Sequence, residues 1–204
     1  MTFGIWKPRA ITRVLLISAS IAMFVEGSSA QTSSAEMPSA ISTTTVPVLH
    51  RSITFQSDFG RFTQSLERIL GHYPPDVQQD ILERPKVAEQ RIKAAEGAQE
   101  LMIFFVLDHG AALNMVGSRR NAKQYLIGNA LTAIQMTQHD IRAALYAPLR
   151  VLVYEQKEGR TTVEYDQPSS LFGQFGREDI RSVALTLDVK LERALGQAAE
   201  LSHQ

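Results

Sequence analysis

The sequence predicts an α+β domain, and three observations carry that prediction. Residues 51–57 alternate Ile53 and Phe55 with Ser52, Thr54 and Gln56, the period-two pattern of a half-buried strand. Residues 149–166 read as a β-hairpin, with two alternating arms about a short turn that ends in glycine. From Glu178 onward, Ile180, Val183, Ala184, Leu187, Leu191, Leu195, Ala198 and Leu201 fall on one stripe of a long helix.

Composition narrows the function classes. The chain has 204 residues, 44% hydrophobic and 21% charged, enough for one domain with a sizeable core. The absence of cysteine excludes disulfides, thiolate metal sites and a cysteine nucleophile. With 21 basic and 21 acidic residues the formal charge is zero, which argues against a broad nucleic-acid footprint.

Residues 1–30 read as a cleavable signal peptide. Lys7, Arg9 and Arg13 form a basic start, Val14 to Val25 an apolar run of twelve residues, and Ser28-Ser29-Ala30 a small-residue cleavage site. Twelve residues are too few to span a bilayer core of about 30 Å as a helix. Cleavage is expected after Ala30, giving a periplasmic or secreted protein with no membrane span. Removing three bases and one acid leaves 18 bases and 20 acids. So weak a net charge argues against electrostatic capture by membranes or nucleic acid. Residues 31–49, polar and β-branched with two prolines, are expected to be a flexible tether. Residues 50–204 are then one folded domain.

After the first strand, Ser57 or Asp58 is placed to cap a helix with Phe62, Leu66, Ile69 and Leu70 on one face, and Gly71 ends it. Pro74-Pro75 opens a helical region over residues 76–100 that carries six acids and four bases; packing, dimer contact and partner recognition all fit it. Leu101–Leu107 is expected to be a strand buried on both faces. Asp108-His109-Gly110 leads into a short helical patch ended by Gly117. Tyr125–Ile127 makes another strand, closed by Gly128-Asn129, and Leu131–Leu145 has helical spacing with Ile134, Ile141 and Leu145 among its apolar positions. In the hairpin, a loop of Lys157-Glu158-Gly159 fits a turn followed by a left-handed glycine. That turn sets Val153 opposite Val163, Val151 opposite Tyr165 and Arg150 opposite Asp166, so both apolar sets share one face.

Several strings along this order, Asp108-His109-Gly110-Ala111-Ala112, Gly128-Asn129, Pro148 to Glu155 and Tyr165-Asp166-Gln167-Pro168, together resemble domain-of-unknown-function family 302. The resemblance covers about Arg51 to Gly176. It implies a two-layer α+β domain of the TATA-binding-protein-like type, a curved antiparallel sheet backed by helices in the order β-α-β4-α. It also implies a tendency to form homodimers, and it implies no reaction. The chain has Ala130 where the family usually has proline after Gly-Asn, and Ala147 where it commonly has leucine. Residues 72–100 look like an insertion relative to shorter members.

Two groups of residues are candidates for chemistry. Asp108 and His109 stand at a strand end leading into a helix start, a common place for ligand contacts; alternatively Asp108 caps that helix and His109 packs on the sheet. Arg150, Tyr154 and Asp166 project from the polar hairpin face, where they line a concavity for a small anionic ligand or form a cross-strand ion pair. His50, His72, His109, His139 and His203 show no metal-binding spacing. Met136 and His139 lie one helical turn apart, which suits a copper site or a core position. No metal or cofactor is expected. The leading reading is a non-catalytic small-ligand-binding or accessory module whose partner is a small anion or an envelope protein. The alternative is a small enzyme with His109 as general base and Asp108 or Arg150 orienting an anionic substrate.

Overall fold

The computed structural model describes residues 40–156 and 159–204. The signal reading of residues 1–30, the tether reading over 31–39, and the turn residues Lys157 and Glu158 lie outside these. Residues 40–49 carry neither helix nor strand.

Six strands make one open sheet: β1 (His50–Phe55), β2 (Gly71–His72), β3 (Met102–Asp108), β4 (Ala122–Gly128), β5 (Leu149–Glu155) and β6 (Thr161–Asp166). Their order is β1-β6-β5-β4-β3-β2. Every neighbouring pair is antiparallel except β2 with β3, which is parallel. The sheet is therefore mixed, not wholly antiparallel. The reason lies in the backbone leaving the first helix: Gly71 N–H donates to the Leu101 carbonyl and Tyr73 N–H to the Ile103 carbonyl, both at 3.0 Å, satisfying the exposed edge of β3 before Pro74 ends the pairing.

One face of the sheet is covered by α1 (Phe59–Ile69) and α7 (Glu178–Leu201). Asp58 caps α1 by accepting from Arg61 N–H at 3.0 Å, and the helix buries Phe62 and Leu66 completely. The α7 stripe buries Ile180, Ala184, Leu187, Leu191, Leu195 and Ala198 against it, as the spacing predicts. Tyr125, Ile127, Val151, Val153 and Val163 supply the sheet's side of this core. The hairpin register pairs Val153 with Val163 and Val151 with Tyr165, as expected. Gly159 is left-handed, with φ of 69°.

The opposite face is covered only at one end. There α2 (Val77–Glu83) and α3 (Pro85–Ala94) pack Val77, Ala88 and Ile92 on Met102. This is what the helical region does structurally. Phe104 falls at a register shift between Ile103 and Phe105, and its ring stacks on Tyr73 at 4.3 Å. Beyond that point the cover stops. Phe105 is 54% exposed and Leu107 43%, so β3 is not buried on both faces as its apolar run suggests.

The helix expected over Leu131–Leu145 is two elements: α5 (Ala130–Thr137) and a 3-10 helix over Ile141–Tyr146. Asp140 breaks them apart by starting a new cap, accepting from Arg142 N–H at 3.0 Å. Ile134, Ile141 and Leu145 are consequently exposed rather than gathered into the core. The remaining helices are short, α4 (His109–Ala112) and α6 (Pro168–Phe172).

Candidate functional site

β3 runs directly into α4, and Asp108 sits at the junction. Its carboxylate accepts from Ala111 N–H at 2.7 Å, closing the first turn. Gly110 is required here by close approach: a Cβ would stand 2.1 Å from the Arg120 carbonyl oxygen. That contact holds α4 against the Ser118–Asn121 loop, and Gly117, left-handed with φ of 71°, turns the chain into this loop. His109 is exposed at the start of α4.

The polar face of the hairpin supplies the other wall. Tyr154 stands opposite Thr162, and its hydroxyl donates diagonally to Glu164 Oε1 at 2.8 Å. The other Glu164 oxygen lies 3.5 Å from His50 Nε2, and His50 Nδ1 lies 3.0 Å from Asp166 Oδ1. The Glu164 hydrogen bond, helped by burial, raises the Tyr154 hydroxyl above the usual tyrosine range. The Asp166 hydrogen bond raises the His50 imidazole above 6.5, with Glu164 adding to it and burial opposing. Tyr154 is therefore a neutral hydroxyl at physiological pH.

Between these walls lies a cleft of about 470 Å³, lined by His109, Arg120, Gln124, Leu152, Tyr154 and Glu164 among others. A second, wider cleft of about 830 Å³ is lined by Asp108, Asn114, Arg119 and Arg120 among others. Arg120, Asn121 and Glu155 border both. The Asn121 side chain donates to Glu155 Oε2 at 2.7 Å and fixes that carboxylate between the two openings. Among the described residues no ion pair engages Arg120, so its guanidinium is available to a ligand.

Of the five residues singled out in the sequence, the structure brings two together: His109 and Tyr154 share the smaller cleft. Asp108 faces the wider one and is committed to its cap. Arg150 and Asp166 line neither. Asp166 pairs with His50, not with Arg150. Arg120 and Glu164 are the residues that sequence reasoning missed. Glu164 projects on the same face as Tyr154 by the hairpin register and could have been found as its diagonal neighbour. Arg120 lies in a loop with no periodic signal.

Among the described residues, no three His, Cys, Asp or Glu side chains converge as a metal-binding group. Met136 is 1% exposed in the core, and His139 lies 3.3 Å from Asp179. No helix among the described residues is long and apolar enough to cross a membrane.

Comparison with known proteins places this geometry in a family. Residues 79–198 match the Domain of unknown function DUF302, and the chain belongs to that family. The match takes in most of α7. The fold is similar to that of an uncharacterized conserved DUF302 protein from Bacillus stearothermophilus, known from a crystal structure, with a TM-score of 0.53 at 14% identity over 73% of this chain and 97% of the other. No curated protein matches the chain.

Proposed function

We propose that this member of the DUF302 family is an exported, non-catalytic binding or accessory module that takes a small polar ligand in the cleft between His109 and Tyr154. The observation that carries the reading is the gathering of His109, Arg120, Tyr154 and Glu164 on the part of the sheet no helix covers. Arg120 and the His109 ring offer donors to an anionic group. Glu155 and Glu164 stand close by, so a bare anion would meet repulsion on one side. The chemistry fits a small ligand with an anionic end and a donor end, such as an amino acid or a hydroxy acid. Leu152 supplies an apolar floor. The basic, apolar, small-residue order of residues 1–30 supports export to the periplasm or beyond.

A thermal-shift screen of amino acids, hydroxy acids and simple carboxylates tests this reading. A ligand should raise the melting temperature of wild type and of Arg150→Ala, but not of His109→Ala or Arg120→Ala. Stabilisation that survives both cleft substitutions would place the ligand elsewhere. The second reading, an enzyme with His109 as general base, has one observation in its favour: His109 and Tyr154 see the same cleft. Turnover of a stabilising ligand, lost in His109→Ala, would establish that reading in place of the first.

A further inference from the structure

A separate cavity of about 340 Å³ opens at the other end of the sheet, where β4 ends at Gly128 and the chain passes into α5. Ile81, Phe104, Met136, Pro148, Phe172 and Leu187 are among the apolar residues of its wall, and these come from different parts of the chain. None of the residues bordering it is ionisable. Its most polar neighbour, Asn129, is fully used: its oxygen accepts from Leu131 N–H at 2.7 Å and Thr132 N–H at 3.2 Å, and its amide donates to Glu96 Oε1 at 2.7 Å and the Glu100 carbonyl at 2.8 Å. Both lone pairs and both N–H groups are thereby spent. Of the other side chains bordering it, only Thr132 and Thr137 carry a hydrogen-bonding group.

We infer that this cavity is a binding site for a neutral, largely apolar small molecule of two or three aromatic rings or an equivalent alkyl chain. Size and chemistry both point there. An apolar cavity of roughly 150 Å³ is enough to hold one benzene ring, and this one has more than twice that room. Ligand pockets start at about 300 Å³ and are mostly apolar with few polar groups. A charged ligand would surrender its hydration here without meeting a counter-charge. Ile134, 55% exposed, stands at the cavity, which gives a ligand an apolar path from solvent.

The site is independent of the polar cleft, so the test separates the two. The probe is 1-N-phenylnaphthylamine, a neutral dye that fluoresces strongly only in apolar surroundings. Saturable enhancement at micromolar dye is expected with the full chain, unchanged in His109→Ala. Its sulfonated relative 8-anilinonaphthalene-1-sulfonate should bind at least tenfold more weakly, because the wall offers the sulfonate nothing. Ala133→Trp fills the cavity from α5, and Gly128→Val narrows it from the β4 side. Each variant that melts cooperatively should lose dye affinity tenfold or more. Absence of saturable binding, equal binding of both dyes, or unchanged affinity in a folded filling variant would overturn the assignment.

Discussion

The Tyr154 hydroxyl reaches across the β5–β6 hairpin and donates to the Glu164 carboxylate at 2.8 Å, two residues along β6 from its directly opposite neighbour Thr162. This bond holds both side chains at the cleft and raises the Tyr154 hydroxyl above its ordinary value. A raised value favours the neutral form in the folded state. The associated stability is present below the unfolded value of about 10 and lost as pH rises through the folded one. A tyrosine-resolved NMR titration should show Tyr154 ionising above 10, and Glu164→Gln should bring it back down. Tyr154→Phe should cost about 0.5–1.5 kcal/mol at neutral pH in denaturant unfolding.

His50 behaves as the outer end of the same chain of contacts. Its imidazole is raised above 6.5 chiefly by the hydrogen bond to Asp166. The charged form is the one the fold favours, so its contribution is full below 6.5 and fades as pH rises through the raised value. A histidine NMR titration should find His50 above 6.5 in wild type. Asp166→Asn should move it back toward 6.5, and an unchanged midpoint would show that Asp166 is not the cause.

Asn129 joins two structural roles, capping α5 and tying it to Glu96 and the Glu100 carbonyl. Asn129→Ala removes the cap and leaves its part-buried partners unpaired, a loss of about 1–3 kcal/mol. Asn129→Asp keeps the capping oxygen but sets a carboxylate oxygen against Glu96 Oε1, so it should not restore stability. Recovery to wild-type stability in Asn129→Asp would show that the Glu96 bond contributes nothing.

Gly71 and Gly97 cross backbone to backbone. A Cβ on Gly71 would stand 1.8 Å from the Ala95 carbonyl oxygen, and one on Gly97 would stand 2.1 Å from Gly71 N. Backbone cannot yield as a flexible side chain does. Either glycine replaced by alanine should cost at least the upper part of the ~1–3 kcal/mol range for overpacking, measured by thermal or denaturant unfolding.

These residues also show how far the fold was legible from sequence. The hairpin pairs, a cap at Ser57 or Asp58 and the α7 stripe were readable because each follows a local period or cap rule that tertiary packing then obeys. Gly71 was readable as a stop, but its partner Gly97, 26 positions on, was not, since close approach leaves no local pattern. Phe105 and Leu107 misled for the same reason: an apolar run says that burial is possible, and only the arrangement of α2 and α3 over Met102 decides where cover ends. The single helix expected over Leu131–Leu145 failed because Asp140 starts a second cap inside an otherwise helical spacing. At the candidate site, His109 and Tyr154 announced themselves by position in a turn and a register. Arg120 sits where only the Gly110 contact brings it close.

The uncovered sheet face leads to an expectation about assembly. Phe105 and Leu107 stand exposed on β3, and a second copy of the chain is the proposed cover, in line with the pairing the family resemblance implies. Light scattering at tens of micromolar should give a dimer mass, and Phe105→Asp should give a monomer. A monomeric mass for wild type at that concentration would refute the pairing.

The most direct test of the central claim, that the cleft between His109 and Tyr154 holds a small polar ligand, is chemical-shift mapping on the labelled protein titrated with amino acids and hydroxy acids. The account predicts saturable shifts centred on His109, Arg120, Tyr154 and Glu164, absent in Arg120→Ala. Saturable shifts that leave those four residues untouched, or no saturable shift across the whole set, would contradict it.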